Sequence, residues 1–270
     1  MVRRLFFEDP GFAAVFAALV DERRGTAPDV DATVSRILAA VRTEGLPALL
    51  RISNQLDGAR IDGADLRVGA EEITEGAAQC PREVRDALAL AARRIGDYHA
   101  RQRPADAAFT DETGIELGWR WTPLDAVGIY VPGGRAAYPS SLLMNAVPAA
   151  IAGVGRIAMV TPPGHLSPAV LAAAQIAGVT EIWRVGGAQA VAALAYGAGP
   201  IAPVDKVVGP GNAYVSAAKR QVYGVVGIDA LAGPSEIVVV ADAANNPHWI
   251  AVDLLSQAEH DPDAQSILIT

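Results

Sequence analysis

Ile129-Tyr130-Val131-Pro132-Gly133-Gly134 is a short apolar run that stops in glycines ahead of an alanine-rich helical stretch at 141–152. The pattern returns twice. Trp183-Arg184-Val185-Gly186-Gly187-Ala188-Gln189 leads into a helix expected over 188–196, and Val207-Val208-Gly209-Pro210-Gly211-Asn212 leads into one over 213–223. Around these turns, Val- and Ile-rich runs at 126–131, 156–161, 181–185, 206–208, 225–228, 236–241 and 266–269 read as strands, with further helices at 167–177 and 247–260. Strands this apolar are expected to be buried on both faces, and strand–helix alternation implies right-handed crossovers and a parallel sheet. The fold class is α/β.

Upstream of Trp119 the texture differs, and the first 110 residues read mainly as helix. Val30, Val34, Ile37, Leu38 and Val41 recur at helical spacing over 30–44, and Val84, Leu88, Ala91, Ala92 and Ile95 do so over 81–103. Pro81 suits a first helical turn, and Cys80 before it reads as a small buried residue. Phe12 to Val20 has the length of a signal-peptide core. Glu8-Asp9-Pro10 separates it from the basic Met1 to Arg4, and Asp21-Glu22-Arg23-Arg24 follows without a small-residue cleavage site, so 10–24 reads as a short helix packed on a neighbour.

Composition narrows the class. The 270 residues are 51% hydrophobic and 19% charged, which argues against disorder and, at roughly 150 residues per domain, suggests about two domains. With 22 basic and 30 acidic side chains the net charge is −8, which disfavours nucleic acid and anionic membrane surfaces as partners. A single cysteine makes no internal disulfide and fits a reducing, cytoplasmic compartment.

The glycine turns have a chemical use. Glycine lets the backbone approach a ligand, and a helix start offers unpaired N–H groups and a positive dipole end to phosphate. The same glycines also serve tight turns and helix–sheet packing, and residue by residue both readings stand. No strand is followed by G-x-G-x-x-G, so a dinucleotide here would lack the usual pyrophosphate loop. Near the end of the chain, Asn246 and Pro247 specify a helix start. Gln257 and His260, three residues apart, share a face and could reach one metal ion. Equally, His260 could cap the helix end while Gln257 and Glu259 are solvated. Ser235, in Ala232-Gly233-Pro234-Ser235-Glu236, either meets a substrate or ends a turn. With no G-x-S-x-G it is not read as a nucleophile.

Taken in order, six strings carry a resemblance. They are Gly128-Ile129-Tyr130-Val131-Pro132-Gly133-Gly134, Ala137-Tyr138-Pro139-Ser140-Ser141 with Leu143-Met144-Asn145-Ala146, Val185-Gly186-Gly187-Ala188-Gln189-Ala190, Lys206-Val207-Val208-Gly209-Pro210-Gly211-Asn212, Ala232-Gly233-Pro234-Ser235-Glu236 and Ser256-Gln257-Ala258-Glu259-His260. Over about 46–270 the chain resembles histidinol dehydrogenase. The resemblance implies two incomplete Rossmann-like parallel-sheet domains behind an N-terminal helical segment. The segment is 1–24, the first domain is 25–129 together with 236–270, and the NAD-binding domain is 130–235. It further implies oxidation of L-histidinol to L-histidine through histidinaldehyde, the last step of histidine biosynthesis, with Zn(2+) and NAD, in a cytoplasmic homodimer whose sites are shared across the interface. By motif, Tyr130, Gln189 and Asn212 match NAD-contacting positions, Ser235 a substrate contact, and Gln257 and His260 zinc ligands that also border the substrate.

In that family the glutamate–histidine acid/base pair, two more zinc ligands and a further substrate-binding glutamate fall beyond residue 270. The resemblance therefore assigns no catalytic residue to this chain and implies a fragment that is inactive alone. The terminal apolar run Ser266-Ile267-Leu268-Ile269-Thr270 agrees, since a strand of that kind is expected to be covered on both faces. Two alternatives stand beside this reading: a sister zinc- and NAD-dependent diol dehydrogenase, and a non-catalytic binding or interaction protein.

Overall fold

The computed structural model describes residues 3–21, 28–58, 60–133, 138–231, 236–259 and 264–270. Two compact units result, Met1–Ala230 and Leu231–Thr270.

The first unit begins with helices α1 (Phe12–Asp21), α2 (Pro28–Glu44), α3 (Leu46–Leu56), α4 (Ala70–Ala78) and α5 (Arg82–Ala100), then a hairpin of β1 (Ala107–Thr110) and β2 (Glu116–Trp119). Helix α1 forms where expected but buries no residue. Its Phe12 and Phe16 stack on each other and Phe16 stays exposed, so among the described residues the expected burial against a neighbour is not seen. Neither α3, α4 nor the hairpin is separated out in the sequence reading, although Pro47 stands in the first turn of α3. Gly45 and Gly69 stand at the two N-caps and supply no side-chain oxygen, and the hairpin strands are four residues each and almost wholly exposed. Cys80 is buried, as its position before α5 suggests.

The rest of the unit is a wound sheet. Strands β3 (Ala126–Tyr130), β4 (Arg156–Thr161), β5 (Glu181–Arg184), β6 (Lys206–Val208) and β7 (Gly227–Ile228) alternate with helices α6 (Pro139–Ala152), α7 (Pro168–Ile176), α8 (Gly187–Tyr196) and α9 (Ala213–Val222). All pairings are parallel and the order is β5-β4-β3-β6-β7. Alternate residues of the central strand serve two cores, as a strand period of two requires. Ala126 and Tyr130 pack in a cluster with α2, α3, α8 and α9, whereas Val127, Ile129 and Val131 pack with α4, α5, α6 and α7. The outer edge of β5 is closed by an antiparallel segment, in which the Val68 N–H donates to the Ile182 carbonyl and the Arg184 N–H to that of Leu66.

The order positions the site. From β3 the chain moves outward through β4 to β5, and α8 then carries it back across to β6 on the other side of β3. Connections therefore leave β3 and β6 in opposite directions, which opens a crevice at their carboxyl ends.

The second unit is one βαβ: β8 (Glu236–Val240), α10 (Pro247–Ala258) and β9 (Gln265–Ile269), with the strands parallel. Asn246 caps α10, its side-chain oxygen accepting from the His248 N–H at 2.9 Å. Burial of both strand faces was expected and is not found. Along β8, Ile237 and Val239 are half-buried while Val238 and Val240 are exposed, and Leu268 and Ile269 are exposed in β9. Within this unit a single helix packs on the two strands, so one face goes uncovered.

Candidate functional site

Tyr130 ends the central strand and is 3% exposed. Its hydroxyl oxygen accepts the Gly187 N–H at 3.0 Å, joining the end of β3 to the start of α8. Burial pushes its pKa from the ordinary 10.0 up to about 12. The Gly187 hydrogen bond opposes this, and the Asp57 charge adds to it. Tyr130 is thus a neutral hydroxyl at physiological pH.

Gly187 has φ +64°, a backbone conformation that favours glycine, and a Cβ there would sit 2.6 Å from Gln189 Oε1. Gln189 is fully buried, and neither atom of its amide has a hydrogen-bond partner among the described residues. Leaving a polar group buried and unpaired costs about 1–3 kcal/mol. Thr161, the last residue of β4, is also fully buried, and its Oγ1 is likewise unpartnered.

Across the crevice lies the turn after β6. Gly209 has φ +108°, and a Cβ there would fall 2.2 Å from the Tyr130 carbonyl oxygen, so only glycine lets this turn lie against the end of β3. Three residues on, Asn212 caps α9. Its Oδ1 accepts the N–H groups of Tyr214 and Val215, each at 3.1 Å, and the residue itself is exposed. Tyr130 thus ends β3, Gln189 lies in the first turn of α8 and Asn212 caps α9. Tyr130 touches the turns that carry the other two.

Several residues at this rim were not singled out from the sequence. A Cβ on Gly133 would stand 2.5 Å from the His165 ring, so that half-buried imidazole lies over the turn after β3. Burial raises the pKa of Asp57, the C-cap of α3, with the His165 charge opposing, and the Asp57 charge in turn raises that of Tyr130. Lys219 and Asp229 bind the Gly209 peptide. Lys219 alone left a trace in the sequence, a lysine on the apolar stripe of Val215, Ala218 and Val222.

Helix starts at α8 and α9, a glycine turn pressed on β3 and an orphaned buried amide suit a ligand that carries both phosphate and amide-pairing groups. These residues fit a dinucleotide. The metal reading has less to stand on. Gln257 is half-buried on α10 in the second unit, while His260 and Ser235 lie outside the described residues. No group of three or more His, Cys, Asp or Glu side chains is gathered to hold a metal among the described residues. Of the two zinc candidates named from the sequence, Gln257 alone is among the described residues, so no chemistry is routed through zinc here.

A family model described as histidinol dehydrogenase matches residues 21–270, reaching further toward the N-terminus than the strings quoted above. The chain is similar to histidinol dehydrogenase of Caulobacter vibrioides, 72% identical over 269 residues, covering 100% of this chain and 63% of that protein. It is similar to the Rhodospirillum rubrum enzyme of the same name at 60% identity, covering 100% of this chain and 63% of the relative. Among solved structures, the crystal structure of histidinol dehydrogenase from Elizabethkingia anophelis matches with a TM-score of 0.83 and 38% identity, covering 90% of this chain and 56% of that one. The chain spans about 63% of the length of these curated relatives.

Proposed function

The chain belongs to the histidinol dehydrogenase family, and from that premise we propose that it serves the NAD- and zinc-dependent oxidation of L-histidinol to L-histidine through histidinaldehyde, in histidine biosynthesis. The observation that carries the reading is Gln189, an amide wholly buried at the start of α8 with both polar atoms unpartnered. A dinucleotide in the crevice between β3 and β6 would end that isolation.

Tyr130, Gln189 and Asn212 are the proposed NAD contacts. The neutral Tyr130 hydroxyl holds the Gly187 N–H and so fixes the turn before Gln189. The start of α9, whose Tyr214 and Val215 N–H groups are taken by Asn212, offers phosphate the positive end of its dipole. Bound NAD would accept hydride at each of the two oxidation steps. Ser235, Gln257 and His260 are proposed to bind substrate, with Gln257 and His260 also reaching zinc. That assignment rests on the motif strings. The same reading divides the chain as 1–24, 25–129 with 236–270, and 130–235, in a cytoplasmic homodimer. Among the described residues no helix is long and apolar enough to cross a membrane.

None of these roles is that of an acid or a base. The 270 residues are therefore proposed to bind NAD without oxidising histidinol unaided. Calorimetric titration with NAD, together with an assay of NADH formation from histidinol, tests both parts. Saturable NAD binding with no histidinol-dependent NADH is expected. A folded chain that does not bind NAD overturns the cofactor reading, and steady turnover overturns the proposed lack of an acid/base pair.

A further inference from the structure

We propose that Lys219 and Asp229 are positioning residues for the dinucleotide, holding the Gly209 peptide so that the turn before α9 keeps one shape at the crevice. The proposal rests on the NAD reading above and deepens it.

The geometry is closed on itself. Lys219 Nζ donates to the Gly209 carbonyl at 3.0 Å and also to Asp229 Oδ1, while Asp229 Oδ2 accepts the Gly209 N–H at 2.8 Å. One ion pair thus takes both polar groups of a single residue. That residue lies ten positions before Lys219, which in turn lies ten before Asp229.

Lysine is almost never fully buried unless paired, and Lys219, 4% exposed, has Asp229 as its partner. Its neighbours on the inner stripe of α9, Val215, Ala218 and Val222, are all buried and would seat the helix unaided. Apolar side chains often replace a buried ion pair without loss of stability, so packing alone does not call for this one. What the pair does supply is direction. Gly209 sits at φ +108° with its Cα pressed on the Tyr130 carbonyl, and the clamp sets where its N–H and C=O point. Three residues later Asn212 caps α9, so the orientation of Gly209 carries to the helix start that faces the ligand. The charge of Lys219 is answered by Asp229, which leaves it no role as a counter-charge to phosphate.

The test uses the full chain. Asp229→Asn keeps the shape of the side chain and removes its charge, and Lys219→Met keeps much of the stem and removes the donor. For each, the NAD dissociation constant is measured by calorimetry over a range of salt, the midpoint of urea unfolding is recorded, and exchange of the Gly209 amide proton is followed by NMR. Expected for Asp229→Asn is a lower urea midpoint, because Lys219 is left buried without its counter-charge, and in the folded variant NAD binding weakened about tenfold with faster exchange at Gly209. Should Lys219→Met fail to fold, Asp229→Asn decides alone. Unchanged NAD affinity in a folded variant, beside a wild type that binds, overturns the clamp and leaves the NAD reading standing. A weaker salt dependence in folded Lys219→Met overturns it in favour of direct phosphate contact. A wild type that does not bind NAD overturns both.

Discussion

Replacing Gln189 by methionine should make the free protein more stable and its dinucleotide binding weaker. The side chain is fully buried and both of its amide atoms lack partners. Methionine has a similar length and shape and brings no group that needs a hydrogen bond. Removing an unsatisfied buried amide should return about 1–3 kcal/mol. At about 2–4 °C per kcal/mol for a chain of this size, the melting temperature without NAD should rise by about 2–12 °C. NAD binding should move in the opposite direction. If the amide meets the dinucleotide, its loss removes a hydrogen bond of about 0.5–1.5 kcal/mol, which weakens binding by roughly two- to tenfold. Scanning calorimetry of both proteins, with and without saturating NAD, reads the two effects together. Ligand at 100 times its dissociation constant should stabilise the wild type by about 2.7 kcal/mol, and the variant by less at the same concentration. A lower melting temperature for the free variant would refute the reasoning, because the amide would then have to be partnered in the free protein. An unchanged NAD affinity would remove Gln189 from the site.

Tyr130 makes stability depend on alkaline pH. Its pKa is about 12 in the fold against 10.0 ordinarily, chiefly through burial, so its contribution is complete below about pH 10 and is lost as the pH rises through about 12. Tyr130→Phe should flatten the decline of urea stability between pH 9 and 12 (about 2–3 kcal/mol at most), and an identical slope in both proteins would count against the assignment. Asn212→Ala should cost about 1 kcal/mol through loss of the α9 cap, a drop of about 2–4 °C in melting temperature that Asn212→Asp should avoid. Gly209→Ala should be more damaging than Asn212→Ala, since the added Cβ would lie 2.2 Å from the Tyr130 carbonyl oxygen at a strained φ. A melting temperature equal to wild type would show that the turn does not press on β3.

Much of this molecule is written in short stretches. Runs such as 126–131 and 156–161 are apolar because both of their faces are covered, and they emerge as β3 and β4 within a residue of the expected bounds. Asn246 and Pro247 announce α10 because a cap acts within three residues of itself. By contrast α3 and α4 begin at Gly45 and Gly69, which offer no cap, and their helical state follows from burial of Ala48, Leu49, Ile52, Ile73 and Ala77 against distant partners. Gln189 and Asn212 stood out only as members of strings that resemble a family. Nothing within a few residues of Gln189 reveals an orphaned amide.

The α/β class, the strand–turn–helix rhythm, the glycine turns and, through the ordered strings, the family are all legible in the amino acids alone. Each depends on residues close together in the chain or on a pattern that can be matched whole. Only the tertiary structure decided that β6 returns beside β3, and that Gly209 presses on the Tyr130 carbonyl while the Tyr130 hydroxyl takes the Gly187 N–H. It also decided that Lys219 and Asp229 clamp one peptide between them. Strand order and buried hydrogen bonds are settled by which surfaces cover one another across tens of residues, and no local run of amino acids records that choice.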